Sequence, residues 1–368
     1  MRLGLMLNLS QTKGRQLLRG IHAALEGWPG VEIVQIPYHL RLWEGDPLAG
    51  LDAVLGEFDR YPQAKPFWEL EIPVIYISNA LPTTRFPKSV MDEAKIGRMA
   101  AEHLLGRGYE QFLVLGAAGH HAAELRAAAF VGHLEETGRK VNRLNGWFGP
   151  DNQLLEALLR EVAAATAPLG IFGWTDFSAY SAVKAVRQAG RRIPEEAGII
   201  GAGDDDILTT ISLVPLSSIH LHWESVGVAA VEMLREALDG RRPADHHCQR
   251  CELIQRASTE RYPVSDPRVA RCLALIERDL AGGLSVPLLA KKVGCSKRSL
   301  EEQFRKELNT SPARYILERR IKRARRLLRE TGLRVYEIAT ACGFEDANYF
   351  AAAFKRVTGK SPTEFREG

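Results

Sequence analysis

The segment Phe304-Arg305-Lys306, followed by Ser311-Pro312-Ala313-Arg314-Tyr315, recurs 50 residues later as Phe354-Lys355-Arg356 followed by Ser361-Pro362-Thr363-Glu364-Phe365. A repeat at that distance implies two copies of one supersecondary unit. Ahead of each copy a small residue stands four places before a glycine: Ala290 and Gly294 in LLAKKVGCSKRSLEEQF, then Ala339 and Gly343 in EIATACGFEDANYFAAAF. The offset suits a helix-turn-helix, in which the alanine lets two helices cross closely and the glycine takes the turn. These units are predicted over about 286–307 and 335–357. Leu289, Val293, Leu300 and Phe304 in the first, and Ile338, Cys342, Phe350 and Phe354 in the second, fall at helical spacing and are expected to face inward. Ser285 with Pro287 suits the start of the first scanning helix, and Ser296 and Asp346 are placed to cap the helices that follow each turn. Between the units, Ser311-Pro312 opens a helix expected to reach Glu330, with Tyr315, Ile321, Ala324 and Leu328 on one side. At about 1.5 Å per residue it is roughly 28 Å long. Recognition helices held on it would suit successive major-groove segments, about 34 Å apart.

Charge separates this region from the rest. From Asp266 to Gly368 there are 22 Lys and Arg against 13 Asp and Glu, whereas the preceding residues carry 27 against 32, so the overall +4 conceals a local basic surplus. Such a surplus on one face fits a polyanion partner, because phosphate neutralisation supplies most non-specific DNA affinity. All six tryptophans lie in the earlier part, and STERYPVSD breaks both periodicities. The expected domains are therefore 1–258, a linker at 259–265, and 266–368. No stretch approaches the roughly 18 to 20 uninterrupted apolar residues of a membrane span, and the five scattered cysteines fit reduced thiols, so a soluble cytoplasmic chain is expected.

In residues 1–258 the apolar runs RLGLMLNL, VEIVQI, PVIYIS, QFLVLG, LGIFGW and AGIIGA alternate with helical stretches such as GRQLLRGIHAALEG, EAKIGRMAAEHLLGRG and FSAYSAVKAVRQAG. Strand-helix alternation implies parallel sheets with helices on both faces, and the length suggests two lobes. The fold class expected is thus a two-lobed α/β N-terminal region with parallel sheets, followed by an all-α C-terminal domain.

The run VYEIATACGFEDANYFAAAFKRVTGKSPTEFR closely resembles the signature of the arabinose-operon regulator (AraC/XylS) family, and Asp266 to Arg366 matches that family's DNA-binding domain throughout. By that resemblance, base-edge contacts come from the exposed starts of the recognition helices. These are Ser296, Lys297, Arg298, Ser299 and Glu302 in the first, and Ala347, Asn348 and Ala352 in the second. Lys355 and Arg356 would position phosphate. Ala351-Ala352-Ala353 stands where relatives commonly have polar side chains, which predicts weak sequence readout by the second helix.

The order of elements upstream, with MDEAKIGRMAAEHLLGRGYEQFLVLG in the middle and LSSIHLHWESVGVAAVEMLREALDGRRP before CELIQRAST, resembles the effector domain of lactose-repressor (LacI/GalR) regulators, which is similar to periplasmic sugar-binding proteins. The pairing of modules resembles the bacterial xylose-operon regulator subfamily. It implies operator DNA, a small polar effector such as the sugar xylose, a homodimer and potential contact with RNA polymerase as partners, with closure of a cleft respacing the DNA-binding domains. Clefts in such sheets lie beyond the carboxyl ends of strands, which places Asn8, Asn79, Trp174, Asp176 and Asp204 as candidate effector contacts. Arg126 matches a ligand-binding arginine position in LacI-like domains, and Trp223 is a further aromatic candidate. Where relatives commonly place a hydroxyl-binding aspartate, IIGAGDDDIL has Gly203, followed by Asp204, Asp205 and Asp206. That departure leaves the effector's identity open, and an acidic helix start explains the triplet better than a cation site.

His246-His247-Cys248 with Cys251 has the look of a zinc site, but strand alternation would separate its ligands across two faces. His120-His121 reads as surface or pocket rim, and neither a phosphate-binding loop nor a GxSxG elbow occurs. No metal, cofactor or catalytic residue is expected. Two competing readings remain: an N-terminal enzyme domain, weakened because the first cysteine is Cys248, and a module that only dimerises or binds a ligand other than a sugar.

Overall fold

Aliphatic segments bounded by glycine, proline and aspartate form the strands of the first of two units, Met1–Glu260 and Arg261–Gly368. The computed structural model describes residues 1–146, 153–262 and 264–367; Trp147, and Pro263 of the expected linker, lie outside the described residues.

In the first unit, β1 (Arg2–Met6), α1 (Thr12–Leu25), β2 (Glu32–Gln35), β3 (Ala53–Gly56), α2 (Tyr61–Ala64) and β4 (Val74–Tyr76) build one lobe around a parallel sheet of order β2-β1-β3-β4. β5 (Ser89–Met91), α3 (Glu93–Gly106), β6 (Gln111–Gly116), α4 (His121–Glu136), β7 (Val141–Asn145), α5 (Gln153–Ala164), β8 (Leu169–Gly173), α6 (Asp176–Gln188), β9 (Ala197–Gly203), α7 (Asp206–Ile211) and β10 (Ser217–Leu221) follow. The chain then passes through α8 (Trp223–Leu238), β11 (His246–Cys248) and β12 (Cys251–Ile254). The second sheet has the order β12-β10-β9-β8-β6-β7; all its pairs are parallel except β10 with β12. β11 pairs with β5 outside both sheets, and Cys248 is buried in the core. Central strands β3 and β8 are buried along their length because helices cover both faces, whereas β2 and β7 are edge strands with mostly exposed or half-buried residues.

The second unit is helical: α9 (Pro267–Arg278), α10 (Val286–Val293), α11 (Lys297–Leu308), α12 (Pro312–Glu330), α13 (Val335–Ala341), α14 (Ala347–Thr358) and α15 (Pro362–Glu367). It holds two separate cores. One gathers Leu289, Val293, Leu300, Phe304 and Ile316, the other Ile321, Ala324, Leu328, Ile338, Cys342, Phe350 and Phe354. Ser285, Ser296, Ser311 and Asp346 accept backbone N–H bonds at the starts of α10, α11, α12 and α14, satisfying donors that a helix otherwise leaves open. Gly294 and Gly343 adopt φ of +76° and +81° in the two turns, a conformation that disfavours any side chain. Among the described residues, no helix is long and apolar enough to cross a membrane.

Candidate nucleic-acid interface and effector cleft

Burial of Leu300 and Phe304 against the first helical core leaves the opposite face of α11 to solvent. Ser296, Lys297, Arg298 and Glu302 are exposed there and Ser299 is half-buried. Arg298 Nε donates to Glu302 Oε1 at 2.9 Å, and Lys297 stands 3.8 Å from Glu301. Exposed i, i+4 pairs of this kind are weak, so the guanidinium can leave its carboxylate at little cost. Arg305 and Lys306 continue the exposed basic face.

On α14 the corresponding face carries Ala347, Asn348, Ala352, Lys355 and Arg356, all exposed. Of the three consecutive alanines, Ala353 is buried in the second core and Ala351 is half-buried, so only Ala352 of the three is fully exposed. A polar side chain is therefore missing at one outward position rather than three. Tyr349 also stands out, 57% exposed, beside Asn348. Sequence periodicity missed it because an aromatic residue next to Phe350 reads as core.

In the first unit the loops at the carboxyl ends of the parallel strands converge. Glu57, just after β3, is buried; its Oε1 lies 2.7 Å from Lys13 Nζ, and its Oε2 accepts the Asn8 N–H at 2.9 Å. Asn8 Oδ1 accepts from the Ser10 hydroxyl at 2.6 Å. Asp59 Oδ2 accepts from the Tyr38 hydroxyl at 2.5 Å; burial first, and then this carboxylate, push the phenol up. Burial alone pulls the Lys13 ammonium down, but Glu57 and Asp59 outweigh it and hold the group above the usual lysine range. At the end of β4, the buried Tyr76 hydroxyl accepts from the N–H groups of Ala80 and Leu81, both at 3.0 Å, and donates to the Phe58 carbonyl. That anchor fixes the turn carrying Asn79, which is 6% exposed and whose Oδ1 has no hydrogen-bond partner among the described residues. A buried amide oxygen left so is costly unless a ligand or water completes it.

The facing wall comes from the loops after β6, β8 and β9. His120 packs on Trp174 with ring centroids 4.6 Å apart, and burial, with Lys13 and Arg126 nearby, pulls its imidazole down to about 4. Asp176, 2% exposed, accepts from the Ser218 hydroxyl at 2.5 Å and from the Asp205 N–H at 2.8 Å. Burial pushes its carboxyl up to about 6 against those two bonds. Two bonds bring the walls together: the Thr12 hydroxyl donates to Asp205 Oδ2 at 2.8 Å, and the His121 N–H donates to the Ala80 carbonyl at 2.9 Å.

Several sequence candidates have partners within the protein. Arg126 sits in the second turn of α4, buried, with Nε on Glu93 at 2.5 Å and Nη1 on the Trp174 carbonyl at 2.6 Å. Asp204 pairs with Arg256 at 2.8 Å and His220 at 3.2 Å, so this member of the acidic triplet is part of an ion-pair cluster, while Asp205 caps α7. Trp223, 8% exposed, lies in the core with the Lys13 ammonium 5.1 Å from its ring centroid. Asn79 and Trp174 stand on the two walls of the cleft. Lys13, Glu57 and Asp59, which stand with them, carry no local pattern that would single them out, and only the knowledge that each lies after a strand end or at the start of α1 collects them; His120 was already marked in the sequence by the His120-His121 pair.

Comparison with known proteins places both units. Residues 289–368 match a helix-turn-helix domain family, and residues 101–259 match a periplasmic binding protein-like domain family. The chain is 24% identical to the xylose operon regulatory protein of Haemophilus influenzae, covering 99% of this chain and 98% of that protein. It is likewise 24% identical to the protein of the same name from Escherichia coli K12, over 100% and 97%. The HTH-type transcriptional regulator GbdR of Pseudomonas aeruginosa is 36% identical over 104 residues, 28% of each chain. Among solved structures, the xylose-binding transcription activator xylR superposes with a TM-score of 0.62 at 22% identity, covering 100% of this chain and 97% of that one. A CelR-cellobiose complex matches 70% of this chain and 84% of its own with a TM-score of 0.60 at 20% identity.

Proposed function

From a chain homologous along its length to xylose operon regulatory proteins, joining an AraC-type helix-turn-helix domain to a periplasmic-binding-protein-like domain, we propose a DNA-binding transcription regulator controlled by a sugar. The observation that carries this reading is the pair of capped recognition helices, each backed by its own core and each offering an exposed basic face. Arg298, Lys297 and Asn348 are the proposed base-edge contacts, with Ser296, Ser299, Glu302 and Ala347 beside them and Lys355 and Arg356 on phosphate.

The cleft supports a neutral polyhydroxylated effector. Lys13 and Arg126 are each held by a buried carboxylate, while Asp59, Asp176 and Asp205 add acidic groups around the same space. That balance disfavours a phosphate or carboxylate ligand and suits hydroxyl donors. Asn79 would accept from a hydroxyl, Trp174 with His120 would cover the apolar side of a ring, and Asp176 would act from behind by fixing the loop of Asp205. Asn8, Arg126, Asp204 and Trp223 then shape the pocket through their partners. In a homodimer, closing this cleft changes the spacing of the two DNA-binding domains.

Two measurements test the proposal. Genome-wide footprinting with and without candidate sugars should give discrete protected sites whose occupancy changes with one of them. Calorimetry with pentoses, hexoses and sugar acids should give binding by a neutral sugar and none by the acids. Binding only of an anionic ligand would overturn the sugar assignment, and the absence of any protected site would overturn the regulator reading.

A further inference from the structure

The two helix-turn-helix units meet at a joint on α12. Helix α12 serves both cores: Ile316 packs into the first, and Ile321, Ala324 and Leu328 pack into the second. Arg320 sits where the helix passes from one to the other. Its Nε donates to the Leu280 carbonyl at 3.1 Å and its Nη2 to the Gly282 carbonyl at 3.0 Å, both in the turn that follows α9. Its guanidinium also lies 5.7 Å from the ring centroid of Phe344, in the turn of the second helix-turn-helix unit. Next to Phe344, Gly343 lies against the same 280–282 turn. A β-carbon there would stand 2.7 Å from the Leu280 carbonyl oxygen and 3.0 Å from the Ala281 Cα. One turn of the first helix-turn-helix unit is therefore gripped by Arg320 and pressed by the backbone of the second helix-turn-helix unit. The neighbouring Arg319 pairs with Glu277 of α9.

We infer that Arg320, with Gly343 as its seat, is the positioning residue that sets the separation and angle of the two recognition helices, and so the spacing of the duplex segments the chain reads. The inference rests on the DNA-reading proposal above. A continuous helix alone transmits twist and bending between its ends; a forked bond to two carbonyls adds a second tie, and a lysine cannot reproduce that fork.

The test uses the full chain and a duplex enriched by the wild type from a random-sequence library. Two derivatives of that duplex are made, one with a single protected segment scrambled and one with an extra base pair between the segments. For Arg320→Lys, affinity for the intact duplex should fall about tenfold. Affinity for the half-scrambled duplex should stay within about twofold, and the penalty for the inserted base pair should shrink. In the free chain, amide exchange should quicken in the 280–284 and 343–345 turns and stay unchanged in α11 and α14. An equal loss on intact and half-scrambled duplexes would make Arg320 a phosphate contact or a general fold support. An unchanged spacing penalty would likewise overturn the inference. Should the wild type enrich no duplex, the DNA-reading proposal fails by itself, and the exchange measurement still decides whether the joint exists.

Discussion

Acid should unfold the α/β unit earlier than its carboxylates alone would suggest, and His103 offers a clean way to see why. The imidazole lies on α3 with Nε2 2.7 Å from the Thr259 hydroxyl, and burial, with Arg107 nearby, pulls it down to about 3 from an ordinary 6.5. A histidine depressed in the folded state stays neutral there while the unfolded chain takes up a proton. Its contribution to stability is thus complete above about pH 6.5 and is lost progressively as the pH falls toward the folded value of about 3. At about pH 5 the unfolded imidazole has gained the equivalent of about 1.5 pH units of protonation, or about 2 kcal/mol at about 1.4 kcal/mol per unit. His103→Gln keeps a group able to hydrogen-bond Thr259 but removes the titration. Urea unfolding at about pH 7.5 and about pH 5 measures the difference, followed by tryptophan fluorescence. All six tryptophans precede residue 259, so the signal reports the α/β unit without interference from the helical one. The wild type should lose about 2 kcal/mol more than the variant between the two conditions. Equal losses would refute the reasoning, because the imidazole would then titrate alike in both states.

Arg298→Ala should weaken binding to a specific operator by about 1–3 kcal/mol in gel-shift titration, and unchanged affinity would remove that residue from the interface. Arg126→Met leaves Glu93 buried without its cation and should cost about 3–5 kcal/mol in urea unfolding. A loss below about 1 kcal/mol would mean that Glu93 finds another partner or a proton. Asn79→Leu should abolish sugar binding in calorimetry while changing the unfolding free energy by no more than about 1 kcal/mol, since its buried oxygen has no internal bond to lose. A sugar affinity that survives this change would place the ligand elsewhere.

The helical unit was legible because its constraints are local. Capping side chains, the glycines at the turns and an apolar spacing of three and four residues all act within a dozen positions, and the turn glycine and the apolar spacing recur in both copies of the repeat. Residues read as inward-facing, from Leu289 and Phe304 to Ile338 and Phe354, are buried in the cores. Strands were legible where burial on both faces demanded continuous apolar runs, as in β6, β8 and β9. β3 escaped notice although it is central and buried, because four residues following Asp52 form too short a run to stand out. β7 escaped for the opposite reason: an edge strand in a parallel sheet can be written VNRLN, with polar residues that no core excludes.

The cleft was legible only in outline, and the reason is electrostatic as much as topological. A strand-end rule finds Asn79, Trp174 and Asp176, but it cannot say which charged groups are already neutralised by one another. Arg126 looks like a ligand contact until Glu93, 33 residues away, is seen to hold it at 2.5 Å. Lys13 looks like an ordinary helix-start lysine until Glu57 and Asp59 are brought round it. Pairing consumes the cations and leaves carboxylates and an unsatisfied amide, so the proposed preference for a neutral ligand rests on contacts far apart in the chain. Converting that preference is accordingly a matter of breaking a pair rather than adding a charge. Glu57→Gln releases Lys13 toward the cleft, and should let a sugar acid bind in the calorimetric panel while lowering the affinity for a neutral sugar by less than about tenfold. If Glu57→Gln still rejects every anion, the selectivity does not reside in the Lys13 pair.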